Sequence, residues 1–89
     1  MAWEIELSRV AEKKIEKLGS EPARRILLFL FERLANLENP RGLGDALSGS
    51  RLGELWRYRV GDYRIICEIQ DQLVRVLVVN VGHRSDVYD

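Results

Sequence analysis

Residues 55–70, LWRYRVGDYRIICEIQ, contain two runs of strand-forming residues with Gly61-Asp62 between them. A two-residue loop with glycine at its first central position predicts a type II′ hairpin turn. That turn sets the register, so Val60 faces Tyr63, Arg59 faces Arg64, Arg57 faces Ile66 and Trp56 faces Cys67. Side chains alternate along each strand. Trp56, Tyr58, Val60, Tyr63, Ile65, Cys67 and Ile69 therefore fall on one face, which reads as core. Arg57, Arg59 and Arg64 fall on the other. Like charges directly opposite one another in a sheet cost up to about 1 kcal/mol, so something should offset the Arg59–Arg64 repulsion. An acidic partner chain, solvated guanidiniums and a phosphate-bearing polyanion all satisfy that requirement, since planar forked donors match phosphate oxygens.

Downstream, residues 73–81 form a third apolar run after Asp71-Gln72. A two-residue loop there would set Glu68 opposite Arg75, a favourable cross-strand pair, and Arg64 opposite Val79. Upstream, Trp3, Ile5 and Leu7 alternate with Glu4 and Glu6 as in a short strand. Ser8 then caps a helix carrying Val10, Ala11, Ile15 and Leu18 at helical spacing, with Gly19 as its stop. Pro22 suits the first turn of a second helix, with Ala23, Ile26, Leu27, Leu30, Leu34 and Leu37 on one face before Asn39-Pro40 ends it. Leu28, Phe29 and Phe31 widen that apolar face almost all the way round, so the helix is either sandwiched in the fold or docked against another chain. Residues 41–53 are glycine-rich, but Leu47 stands where a dinucleotide fingerprint needs its third glycine, and the segment reads as a connection. The expected class is α+β: one strand, two helices, then three antiparallel strands, giving a four-stranded sheet packed on the helical pair, in a single domain over residues 1–89.

The bulk numbers narrow the chemistry. Hydrophobic residues are 46% and charged residues 31% of the 89, the balance of a globular protein. The longest apolar run, residues 26–31, is too short for a membrane span, and no signal-peptide layout opens the chain, so a cytoplasmic protein is expected. One cysteine, Cys67, and one histidine, His83, leave no disulfide framework and no foreseeable metal or cofactor site. Lys+Arg and Asp+Glu both total 14. With no global basic field, a nucleic-acid role requires the charge to be locally sorted.

Taken together, ELWRYRVGDYRIICEI, the apolar LVRVLVVNV and the ending GHRSDVYD resemble the RelE toxins of the RelE/ParE superfamily, over nearly the whole chain. The resemblance implies a toxin of a toxin–antitoxin pair, an endoribonuclease that enters the ribosomal A site and cuts messenger RNA without a metal. It places the arginine of the GDYRI element on Arg64, the arginine after the terminal glycine on Arg84, the tyrosine of the VY element on Tyr88, and the basic strand on Arg57 and Arg59. Arg64 and Arg84 would hold the scissile phosphate while the RNA's own 2′-hydroxyl attacks it. Several RelE toxins carry lysines on the basic strand, where this chain has arginines that do not deprotonate. The proton acceptor is then expected to be Tyr88 or His83, with His83 favoured because an imidazole ordinarily titrates near working pH. The partners implied are a cognate antitoxin, the ribosome with messenger RNA in its A site, and operator DNA through the antitoxin complex only. A ParE-like gyrase inhibitor without nuclease chemistry, or an inactive antitoxin-binding regulator, are the alternative readings.

Overall fold

The computed structural model describes residues 2–47 and 55–84. Its elements are β1 (Glu4–Leu7), α1 (Arg9–Lys17), α2 (Ser20–Leu28), β2 (Asp45–Ala46), β3 (Leu55–Val60), β4 (Tyr63–Gln70) and β5 (Arg75–His83). The strands form one sheet in the order β1-β5-β4-β3-β2, with β1 parallel to β5 and the other pairs antiparallel. The helices cover one face. The core lies between the layers: Ala11, Ile15, Ile26, Leu30 and Leu34 from the helical side against Tyr58, Ile65, Cys67, Val76, Val78 and Val81.

The first hairpin follows the sequence expectation pair by pair, from Val60 opposite Tyr63 to Trp56 opposite Cys67. Gly61 takes φ +59, as the first central position of a type II′ turn demands. Ser8 caps α1, its hydroxyl oxygen accepting from the Ala11 N–H at 3.1 Å.

Four expectations need correction. The sheet has five strands, because the glycine-rich segment contributes β2, whose Asp45 and Ala46 pair with Arg57 and Trp56. Gly44 makes this approach possible: it takes φ +75, and a Cβ there would collide with the Arg57 carbonyl oxygen. The second helix does not run unbroken to residue 37. After Leu28 it widens into a π-helical turn over Phe29–Arg33 and tightens into a 3₁₀ turn over Leu34–Asn36. Val10 is 54% exposed on α1 and lies outside the core.

The fourth correction concerns the second hairpin. Its loop spends four residues: a 3₁₀ turn over Asp71–Leu73, then Val74 in the left-handed region at φ 49, ψ 49. The last strand therefore begins at Arg75, with Gln70 opposite Arg75 and Glu68 opposite Leu77. A bulge follows. Cys67 pairs with Val78 but Ile66 pairs with Asn80, leaving Val79 as the extra residue and bringing Gly82 opposite Arg64. The Val79 carbonyl accepts a hydrogen bond from the Ser8 hydroxyl at 3.2 Å, so the α1 cap also satisfies the bulge. Because side chains alternate with period 2, one extra residue exchanges the faces of everything beyond it. Val76 and Val78 point into the core before the bulge, and Val81 does so after it.

Candidate functional site

The outer face of the sheet, away from the helices, divides into two ends. At the β1 end, Arg75 is held by acids, its Nε lying 2.8 Å from Glu4 Oε1 and 3.2 Å from Glu6 Oε2. These contacts favour its charged form and raise its pKa. Glu68, expected to meet Arg75, accepts instead from Gln70 Nε2 at 2.6 Å. The longer loop moved Arg75 out of its reach.

At the other end stand Arg57, Arg59 and Arg64. Arg57 bonds Asp45 at 3.1 Å across the β2–β3 pair. Arg59 is exposed. The Arg64 guanidinium folds back over the turn, Nη1 donating to the Gly61 carbonyl at 3.2 Å and to the Tyr63 carbonyl at 3.1 Å. The Arg84 N–H donates to the Asp62 carbonyl at 2.9 Å, extending the ladder past β5 and fixing Arg84 beside the same turn. Carried one residue past the end of β5, the alternation puts Arg84 on the Arg64 face. Among the described residues, ion pairs engage Arg41, Arg57 and Arg75, whereas none engages Arg9 and Arg24 on the helices or Arg25, Arg33, Arg59, Arg64 and Arg84. Charge that sums to zero over the chain is thus sorted in space. Of the seven described guanidiniums without an ion pair, Arg59 and Arg64 face each other across the hairpin, Arg84 follows β5 beside its turn, and Arg25 lies over Gly61.

The structure sets Arg59 opposite Arg64 and holds the Arg84 backbone beside their turn, but turns His83 to the other face. His83 lies opposite Tyr63, and the two rings meet edge to face with centroids 5.9 Å apart on the helix side of the sheet. Uninterrupted alternation along β5 would have set His83 on the arginine face. The Val79 bulge exchanges it for Arg84. Tyr88 lies outside the described residues. Tyr58 and Cys67 are core side chains, as read from the sequence: burial raises the pKa of both, and the Tyr58 hydroxyl donates to the Pro40 carbonyl at 2.7 Å. Trp56 Nε1 likewise donates to the Leu43 carbonyl, at 2.6 Å.

Two cations escaped the sequence reading. Arg25, on α2, lays its guanidinium over the bare face of Gly61, where a Cβ would lie 3.0 Å from its Nη2. Arg33 ends the π-helical turn and lines a pocket beside Arg59. Neither carries a local motif, since only tertiary packing brings the helices to the hairpin. No cluster of three or more His, Cys, Asp or Glu gathers among the described residues, and no helix among them is long and apolar enough to cross a membrane.

Comparison with known proteins gives a consistent result. A family described as the ParE toxin of type II toxin–antitoxin systems matches residues 5–88. The toxin RelE of Mycobacterium tuberculosis is 30% identical over 86 residues, 97% of this chain and 86% of its own. The toxin RelG of the same organism is 26% identical over 99% of this chain and 98% of its own. Among solved structures, the toxin–antitoxin complex RelBE2 of M. tuberculosis superposes with TM-score 0.83 at 24% identity, covering 97% of this chain and 95% of that one. The RelE–RelB complex of Pyrococcus horikoshii superposes with TM-score 0.74 at 24% identity, over 98% of this chain and all of that one.

Proposed function

Since the chain belongs to the RelE/ParE superfamily of toxins from toxin–antitoxin systems, we propose that it is the endoribonuclease kind, cutting messenger RNA in the ribosomal A site. The observation that carries this reading is the group of uncompensated arginines, Arg59, Arg64 and Arg84, at one end of the outer face. Cleavage by a neighbouring 2′-hydroxyl requires three things: loss of the proton from that oxygen, stabilisation of the extra charge on phosphorus, and a proton for the departing 5′-oxygen. Arg64 and Arg84 hold the phosphate as permanent cations, and Arg57 and Arg59 extend the contact along the strand. The 2′-oxygen bonds to phosphorus as the bond to the 5′-oxygen breaks, leaving a cyclic phosphate. No metal enters these steps. With His83 behind the sheet, the proton-carrying role passes in this proposal to Tyr88, and His83 supports the strand end through Tyr63.

A cognate antitoxin is the second partner proposed. Several of the similar solved structures are toxin–antitoxin complexes, and Leu28 and Phe31 are 45% and 47% exposed along the second helical segment. Operator DNA would be reached through that complex, and the working compartment would be the cytoplasm. The family's ParE description favours a second reading, inhibition of DNA gyrase without cleavage. One pair of assays separates the two: messenger RNA cleavage on programmed ribosomes in a purified translation system, and supercoiling by gyrase. The nuclease reading expects cuts within the A-site codon and unchanged supercoiling. Intact messenger RNA with blocked supercoiling would replace it with the gyrase reading.

A further inference from the structure

Beside Arg59, between the helical layer and the β2–β3 edge, lies a pocket of about 300 Å³ lined by Phe29, Arg33, Leu43, Gly44, Asp45, Tyr58 and Arg59. Its volume falls at the lower end of the range for small-ligand sites. The wall is built rather than incidental. The π-helical turn sets Phe29 and Arg33 at its two ends, and such turns recur at functional sites. Phe29 packs on Tyr58 with ring centroids 5.7 Å apart at 53°. The Leu43 and Pro40 carbonyls are tied down by Trp56 and Tyr58. Gly44, bare of a side chain, packs directly on β3, where a Cβ would collide with the Arg57 carbonyl and crowd Tyr58. Asp45, the acid at the pocket, is engaged by Arg57. The pocket thus combines an aromatic and aliphatic wall with two guanidiniums, Arg33 and Arg59, that make no ion pair with any described residue, while Asp45 in the same lining is held by Arg57.

We infer that this pocket receives one unstacked nucleotide of the RNA, its base against Phe29 and Leu43 and its phosphate between Arg33 and Arg59. Proteins hold single-stranded RNA in this way, with bases splayed onto aromatic or guanidinium planes and phosphates met by forked donors. The inference rests on the nuclease reading and deepens it: Arg59 is shared, so the nucleotide bound here flanks the phosphate held at Arg64 and Arg84. Arg33 becomes a binding residue for that neighbour.

Amide chemical shifts of the isotope-labelled protein, titrated with the four nucleoside monophosphates to about 10 mM, a range suited to weak single-nucleotide binding, test it against inorganic phosphate as a control. At least one monophosphate is expected to move the amides of Phe29, Leu43 and Gly44, inorganic phosphate to leave Phe29 and Leu43 unmoved, and Arg33→Glu to weaken the nucleotide response at least fivefold. Shifts confined to the Arg64 and Arg84 amides would overturn the pocket and leave the nuclease reading standing. Equal pocket shifts with inorganic phosphate would reduce it to an anion site and overturn the base contact. A pocket silent to nucleotides whose Arg33→Glu variant no longer retains the antitoxin would assign it to the partner protein. The nuclease reading itself is judged separately, by cleavage on the ribosome.

Discussion

The two hairpins share strand β4 and differ in almost every physical respect. The β3–β4 hairpin turns in two residues, keeps an unbroken register, and leaves Arg59 and Arg64 facing each other with no acid paired to either among the described residues. The β4–β5 hairpin turns in four, places Val74 in the left-handed region, and contains a bulge. Its flanking arginine, Arg75, is neutralised by Glu4 and Glu6. A sheet that could pair Arg75 so thoroughly leaves the repulsion at Arg59–Arg64 in place. Under the proposed function, that contrast separates a structural end of the face from the end that would bind RNA.

Substitutions can break or sharpen the contrast. The largest stability effect is expected at Ser8, whose hydroxyl both accepts from the first turn of α1 and donates to the bulged Val79 carbonyl. Ser8→Ala should cost about 1–2 kcal/mol in denaturant unfolding, from the lost cap and an orphaned carbonyl. Gly61→Ala should cost about 1 kcal/mol, because φ +59 penalises a Cβ and the Arg25 guanidinium must move from over the turn. A loss near zero would mean that the tight turn does not set the register. Val74→Asn should move the other way, gaining roughly 0.5 kcal/mol, since a β-branched residue is strained at φ 49 and asparagine tolerates it.

The smallest effect concerns Asp71. The Arg41 guanidinium, bidentate at 2.8 and 3.0 Å, lowers the carboxyl's pKa below its ordinary 3.8. A depressed folded-state pKa contributes stability that is present above the unfolded value and lost as pH falls through the folded one. Asp71→Asn should therefore unfold slightly more readily than the parent at pH 6. The two should converge as the pH is taken below 3.8. A gap that persists in acid would assign the pair's contribution to packing.

How far the sequence could be read follows the same division. Gly61-Asp62 is a local signal that leaves one geometry, so every pair of the first hairpin and the face of each arginine were legible. Ser8 and Gly19 bracketed α1 for the same reason. In the second hairpin the turn chemistry was ambiguous, because Asp71-Gln72 also opens a 3₁₀ turn, and the error in register followed from two uncounted residues. The bulge at Val79 has no sequence signature of its own, and its consequence, the exchange of His83 for Arg84, was therefore invisible. β2 escaped because a two-residue strand has no periodicity to detect, although Gly44 marked a close backbone approach. Arg25 reaches the hairpin and Arg33 the Arg59 pocket through tertiary packing alone.

The division of the outer face is tested most directly by single-turnover cleavage of messenger RNA on programmed ribosomes, comparing Arg64→Ala with Arg75→Ala, both checked as folded. Loss of a positioned cation at the reacting phosphate typically slows a reaction by about 10²-fold or more. Arg64→Ala should fall by that factor at saturating toxin. Arg75→Ala, which loses only its contacts with Glu4 and Glu6, should stay within about threefold of the parent, as expected for a residue remote from the reacting group. Equal rates for the two variants, or the larger loss at Arg75, would contradict the assignment of the hairpin end as the active face.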